Sequence, residues 1–245
     1  MDSKKIFFFG GFEGFSDIYL GALKNAGFEI VPEAQNADLG VIAYYGKIIP
    51  KAVLELPKNG FLNAHPSLLP RWRGPSPVQA TILAGDKTTG VTIHVATEKP
   101  DAGPILAQKE IPTDITDTCL SLTGKLANEG ASLLIPTIEK WLLGEIKPKE
   151  QNHSKATYTK LLKKEDGLID WTKDAEYIEK QVRAYDPWPG TFTKMKNGKL
   201  LKIKKVKVEN GVLKILVVQP EGKKEMSWEA FLRGHRDFKI ASPPR

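Results

Sequence analysis

The chain has 245 residues, 41% of them hydrophobic and 27% charged, with a formal net charge of +7. Such proportions are ordinary for a soluble globular protein and set disorder aside as the default reading. The longest apolar runs, Ile6 to Phe9 and Leu39 to Tyr45, fall far short of the roughly 20 residues that cross a bilayer, and the start lacks a signal-peptide pattern, so a cytoplasmic protein with no membrane partner is expected.

From the amino end, KKIFFFGG is a short apolar run closed by glycines, followed by the amphipathic IYLGALKNAG and then FEIV: strand, turn, helix, strand. Glycines 10, 11 and 14 lack the GxGxxG spacing of a dinucleotide loop and predict a tight strand-to-helix turn. LGVIAYYG, GFLNAH and TGVTIHVA are further β-rich runs, with the helical PVQATILAG between the last two. This alternation predicts an α/β fold, a Rossmann-like domain over residues 1–150 with a mostly parallel sheet. Asp117 or Thr118 can cap the long helical segment that closes it, inside which Pro136 predicts a kink or break.

Residues 151–164, QNHSKATYTKLLKK, are polar and aperiodic and read as a linker. Beyond them, over 165–245, short strand patterns separated by Asn197-Gly198 and Asn210-Gly211 predict hairpins in a small, mostly β, OB-like domain. Charge follows the same division: residues 1–150 hold 15 Lys and Arg against 17 Asp and Glu, and the rest hold 21 against 12. Lys196, Lys199, Lys202, Lys204, Lys205, Lys207 and Lys214 fall among β-forming residues. Two readings fit them, a face for a polyanionic partner and a lysine-rich edge kept soluble.

The single cysteine, Cys119, excludes an intramolecular disulfide and falls in a periodic helical segment, where a buried thiol is expected. Four scattered histidines without a Cys cluster predict no metal site. In FLNAHPS, a period of two sets Asn63 and His65 on one face at a strand end, and open α/β sheets bind ligands beyond the carboxyl ends of their strands. Asp101 follows in the loop TEKPDAGPIL, so carboxamide, imidazole and carboxylate can converge. His94, His153 and His235 take structural readings.

These residues carry a resemblance. The segment NAHPSLLPRWRGPSPVQATILAGDKTTGVTIHVATEKPDAGPIL resembles the signature of folate-dependent formyltransferases. Residues 156–190, the tail GKKEMSWEAFLRG and the first βαβ resemble the methionyl-tRNA branch of that family. The resemblance implies 10-formyltetrahydrofolate as formyl donor with tetrahydrofolate as product, initiator methionyl-tRNA as acceptor for translation initiation, and no metal. It also implies Asn63, His65 and Asp101 as the catalytic set, and a folate pocket walled by Ser67, Leu68, Leu69 and Pro70 together with Ile48 and Ile49 of YYGKIIP. Arg71 and Arg73 divide between a structural role and acceptor binding, and Lys204, Lys205 and Lys207 are the candidates for tRNA phosphates.

One departure bears on the acceptor. Val31 reaches Leu39 through PEAQNAD alone, where the methionyl-tRNA branch usually has a long stretch with a basic loop, so the N-terminal domain is shortened. Either the basic C-terminal domain holds the tRNA, or the acceptor is the amino group of a nucleotide-linked sugar. A catalytically inactive RNA-binding relative is the non-enzyme alternative, and retention of Asn63, His65, Asp101 and the SLLP loop argues against it. The sequence does not fix the oligomeric state.

Overall fold

The computed structural model of the protein describes residues 3–12, 14–236 and 238. Contacts divide them into two units. The first takes the described residues through Val78, Lys87–Asp114 and Ser121–Lys160; the second takes Gln79–Asp86, Ile115–Leu120 and the described residues from Leu161 onward.

In chain order the first part runs β1 (Lys5–Gly10), α1 (Phe15–Asn25), β2 (Glu29–Ile30), β3 (Leu39–Ala43), α2 (Lys51–Leu54) and β4 (Phe61–His65), then α3 (Pro77–Ala84), β5 (Thr88–Val95), β6 (Ile105–Pro112) and α4 (Cys119–Leu142). Six strands form one sheet in the order β2-β1-β3-β4-β5-β6. Strands β2, β1, β3 and β4 run parallel, whereas β5 is antiparallel to β4 and β6 to β5. The sheet is mostly parallel and Rossmann-like, with an antiparallel pair along one edge. Strand β3, LGVIA, is buried at every position, as a central strand covered on both faces requires.

One face packs Ile42, Phe61, Ala34 and Leu54 of α2 with Phe7, Phe9, Tyr45 and Ile49. The Phe9 ring lies stacked 4.6 Å from Tyr45 and 5.6 Å from Phe61. Helices α1 and α4 meet so closely that a Cβ on Gly130 would fall 1.9 Å from the Tyr19 hydroxyl and 3.1 Å from Val91 of β5. Helix α1 is entered through Gly14, whose φ of 85° favours glycine, while its N–H donates to Asp17 at 3.0 Å. Between β2 and β3, PEAQNAD carries only a short 3₁₀ turn, Ala34–Asn36. Helix α4 continues through Pro136 instead of breaking there. The missing proline N–H removes one bond of the ladder, and the next residue adds one, since Thr137 Oγ1 donates to the Leu133 carbonyl at 2.6 Å.

The second unit contains α5 (Ala175–Ala184), β7 (Thr191–Lys194), β8 (Leu200–Glu209), β9 (Val212–Pro220), β10 (Met226–Ser227) and α6 (Trp228–Gly234). Its strands form an antiparallel sheet in the order β10-β9-β8-β7. Ile178 and Val182 of α5 and Phe231 of α6 pack on Leu201, Ile203 and Val218. Asp174 and Ser227 cap the two helices, accepting from Tyr177 N and Ala230 N. Asn210 and Gly211, with φ of 52° and 74°, make the two-residue turn joining β8 to β9.

Candidate active site

The hydrogen-bonded centre lies on β4. Its period of two puts Asn63 and His65 on the same face, and the antiparallel neighbour β5 places His94 directly opposite Asn63 and Thr92 opposite His65. A register shift between Ile93 and His94 marks a bulge in the β5–β6 pairing at that position. Because β5 runs back toward the amino end of β4, the loop that follows it starts near Phe61, where Ala96 N meets the Phe61 carbonyl, and must fold back to reach the site. Asp101 in this loop has a φ of 53°. Its Oδ2 accepts the Gly74 N–H at 2.8 Å, and its Oδ1 accepts from Asn63 Nδ2 at 3.3 Å and lies 3.4 Å from His65 Nδ1.

The three predicted residues are thus brought together around one carboxylate oxygen. His65 is buried, and its Nε2 faces the Trp72 carbonyl at 2.9 Å, so both ring nitrogens face acceptors. A ring nitrogen can satisfy a carbonyl or a carboxylate only as a donor.

His94 is a fourth member that sequence reasoning left outside the site. Its Nδ1 lies 3.0 Å from the Val95 carbonyl and therefore carries the hydrogen, leaving Nε2 to accept from Asn63 Nδ2 at 3.2 Å. Burial pushes this imidazole down to about 4, with the nearby His65 and Arg73 charges adding to the effect and Asp101 and the Val95 carbonyl opposing it. Neutral His94 and ionised Asp101 together occupy both N–H groups of Asn63. The signal that could have found His94 is the β4–β5 register, which a parallel reading of the sheet conceals.

The SLLP stretch divides by depth. Ser67 is 0% exposed and Leu69 only 3%, and their side chains are packed beneath the loop. Thr92 Oγ1 donates to Ser67 O at 2.6 Å and accepts from Leu69 N at 3.1 Å, while Ser67 Oγ donates to Arg71 O at 2.7 Å. Leu68 and Pro70 are half-buried, and of the four they present the more accessible side chains. Ile48 is 80% exposed, whereas Ile49 packs into the sheet-face cluster.

Arg71 is exposed, its guanidinium 4.2 Å from the Trp72 ring centroid. Of the two readings offered for Arg73, the geometry favours the structural one over acceptor binding, since it is 1% exposed and its guanidinium is held by Gln151, Tyr158 and His153. In the second unit, Lys204 Nζ sits 2.6 Å from Asp186 Oδ1 and 3.8 Å from Glu225 Oε1, and Lys207 pairs with Glu209. Lys205 is exposed and has no ion pair among the described residues. Also among the described residues, no group of three or more His, Cys, Asp or Glu is placed to hold a metal ion, and no helix is long and apolar enough to cross a membrane.

A Rossmann-like sheet carrying a carboxamide, imidazoles and a carboxylate on adjacent strands, followed by a small antiparallel β unit, defines an α/β enzyme of the formyl transferase class. Residues 22–138 match the family model described as Formyl transferase, and residues 161–211 match the model for the Formyl transferase, C-terminal domain. The chain belongs to the formyl transferase family. It is 42% identical over 229 residues to the methionyl-tRNA formyltransferase of Chloroflexus aurantiacus, covering 83% of this chain and 74% of the relative. In fold it is similar to the methionyl-tRNA formyltransferase from Clostridium thermocellum, with a TM-score of 0.69, 20% identity, and coverage of 89% of this chain and 98% of that one. It is also similar to HypX from Aquifex aeolicus in complex with tetrahydrofolic acid, with a TM-score of 0.74, 19% identity, and coverage of 98% of this chain and 49% of that one.

Proposed function

We propose that the protein transfers the formyl group of 10-formyltetrahydrofolate to the amino group of methionyl-tRNA, with Asn63, His65 and Asp101 as the catalytic residues. The observation that carries the reading is the meeting of Asn63 Nδ2 and His65 Nδ1 at one oxygen of Asp101, in a chain of this family. The methionyl-tRNA acceptor is supported by the 42% identity to a relative of that name.

The folate donor supplies an activated one-carbon unit at the formyl level. The chain has apolar surface suited to its ring, with Ile48 uncovered and Leu68 and Pro70 half-buried. At the reacting carbon, negative charge grows on the formyl oxygen while the attacking amine must lose a proton. Asn63 is the donor for that oxygen, a role worth about 3 to 4 kcal/mol in comparable sites. Its N–H toward Asp101, at 3.3 Å, is the longer of its two bonds and the one a ligand oxygen most readily competes for. Asp101 then stands beside His65, ready to take up or relay the proton, and such acid–base assistance contributes on the order of 10²- to 10⁴-fold.

The test compares acceptors. Purified protein with 10-formyltetrahydrofolate is expected to formylate methionyl-tRNA; transfer to nucleotide-linked amino sugars alone would move the acceptor assignment, and transfer to neither would overturn the enzymatic reading.

A further inference from the structure

Residues 151–159 lie between the two matched family regions, which end at 138 and resume at 161. They nevertheless form a strap along the loop that follows β4. Arg73 N donates to Thr157 O at 2.9 Å and Thr159 N to Arg73 O at 2.7 Å, while Trp72 N and Ser76 N donate to the Thr157 and Thr159 hydroxyls. The strap is close enough that a Cβ on Gly74 would fall 2.7 Å from the Thr159 carbonyl.

At its start, Gln151 is 5% exposed and uses its whole carboxamide. Oε1 accepts from Arg73 Nε at 3.2 Å and Nη2 at 2.6 Å, and Nε2 donates to the carbonyls of Asp101 at 3.0 Å and Gly103 at 2.7 Å. One buried side chain therefore ties the Arg73 loop to the Asp101 loop. The first of these loops presents the Trp72 carbonyl to His65 and the Gly74 N–H to Asp101. The second holds Asp101 in the left-handed region, which strains a non-glycine residue and persists only where the surroundings over-determine it.

We infer that Gln151, seated on Arg73, is a positioning residue for the transfer: it holds the Asp101 backbone so that the carboxylate meets Asn63 and His65. The inference rests on the catalytic assignment proposed above. Arg73 supplies the fixed base of this brace. Its guanidinium only donates, so His153 Nδ1 at 2.9 Å and Tyr158 Oη at 3.3 Å accept from it, completing its attachment to the strap.

Gln151→Glu separates this role from general support. The variant keeps oxygen acceptors for Arg73 and adds a charge opposite a buried cation, but it loses both donors to the Asp101 and Gly103 carbonyls. Displacement of a catalytic group by 1 Å can cost on the order of 10²-fold. With the whole chain, kcat is expected to fall about 10- to 100-fold, with KM for donor and acceptor close to those of the parent and the thermal midpoint lowered by a few degrees, because two buried carbonyls lose their donor. In single-turnover experiments with enzyme in excess, adding Gln151→Glu to Asp101→Asn is expected to give no further loss, because Gln151 acts through the Asp101 side chain. Parent-like kcat in Gln151→Glu, or a loss that multiplies with that of Asp101→Asn, would overturn the inference. Should Gln151→Glu not fold, Arg73→Lys enters the same cycle with the same expectations. Near-normal transfer by Asp101→Asn alone would instead sink the catalytic assignment, so the two failures are distinguishable.

Discussion

His65 Nδ1 lies 3.4 Å from Asp101 Oδ1 while its Nε2 faces the Trp72 carbonyl at 2.9 Å, which fixes the imidazole from both ends. Replacing Asp101 by Asn removes the charge from one end without changing size. Transfer is expected to slow by about 10²- to 10⁴-fold, and His65→Ala should reach a similar loss with the thermal midpoint reduced by only a few degrees. Steady-state kinetics beside a melting curve check this, and parent-like turnover in His65→Ala would remove the imidazole from the chemistry.

Adjacent isoleucines are expected to behave oppositely. Ile48 is 80% exposed, and Ile49 packs beside Ile42, Leu54 and Phe61. Covering an exposed isoleucine is worth about 1.5 to 3 kcal/mol when burial is complete, so Ile48→Ser should raise KM for the folate donor by up to about tenfold without affecting the melting temperature. Ile49→Ser should lower the melting temperature while leaving donor affinity nearly unchanged. A rise in donor KM confined to Ile49→Ser would place the folate wall at Ile49 and remove Ile48 from it.

Much of this arrangement is legible in the sequence. The buried run LGVIA, the glycine turn after FFF and the spacing of Asn63 and His65 are local signals, and each marks a feature of the parallel part of the sheet. Strand β6 gave no such signal because its central residues, Gln108 to Glu110, are exposed, so an edge strand reads as loop. Strand direction was hidden as well: TGVTIHVA is buried over six consecutive positions, a pattern that suits a parallel or an antiparallel neighbour, yet only the antiparallel register puts His94 opposite Asn63. Gln151 and Arg73 were least visible, since a buried polar residue in an aperiodic stretch leaves no trace in hydrophobic patterning. The lysine-rich strand showed its charge in sequence but not its partners.

Those partners reorder the expectations for RNA binding. Lys207 and Lys214 share Glu209, whose carboxyl their ammonium groups pull down to about 2, and Lys204 is held by Asp186. A lysine already paired has less charge to offer a phosphate. Exposed Lys202 and Lys205 have no ion pair among the described residues. Neutralising either should reduce the slope of log KM for methionyl-tRNA against log salt by about 0.7 to 0.9 per lost phosphate contact, more than Lys204→Ala or Lys207→Ala does. Equal effects across all four would restore the whole strand as the interface, and a salt-insensitive KM would remove it.

The buried imidazole of His94 makes stability depend on pH. Its folded-state value, near 4, lies below the ordinary histidine value of 6.5, so between those limits the unfolded chain binds more protons at this position than the folded one. Stability from this group is therefore fully present above about pH 6.5 and is lost as pH falls toward 4, by at most about 1.4 kcal/mol per pH unit. Protonation would also turn the acceptor facing Asn63 into a donor and break that bond, so loss of stability and loss of the site's geometry coincide. His94→Gln keeps a polar side chain without a titrating group. Urea unfolding of both proteins at a series of pH values from 7.5 to 4.5 should give a steeper acid slope for the parent, whatever offset the substitution itself introduces. Parallel slopes would mean that His94 titrates alike in the folded and unfolded chains, and that a charged imidazole can stand beside Asn63.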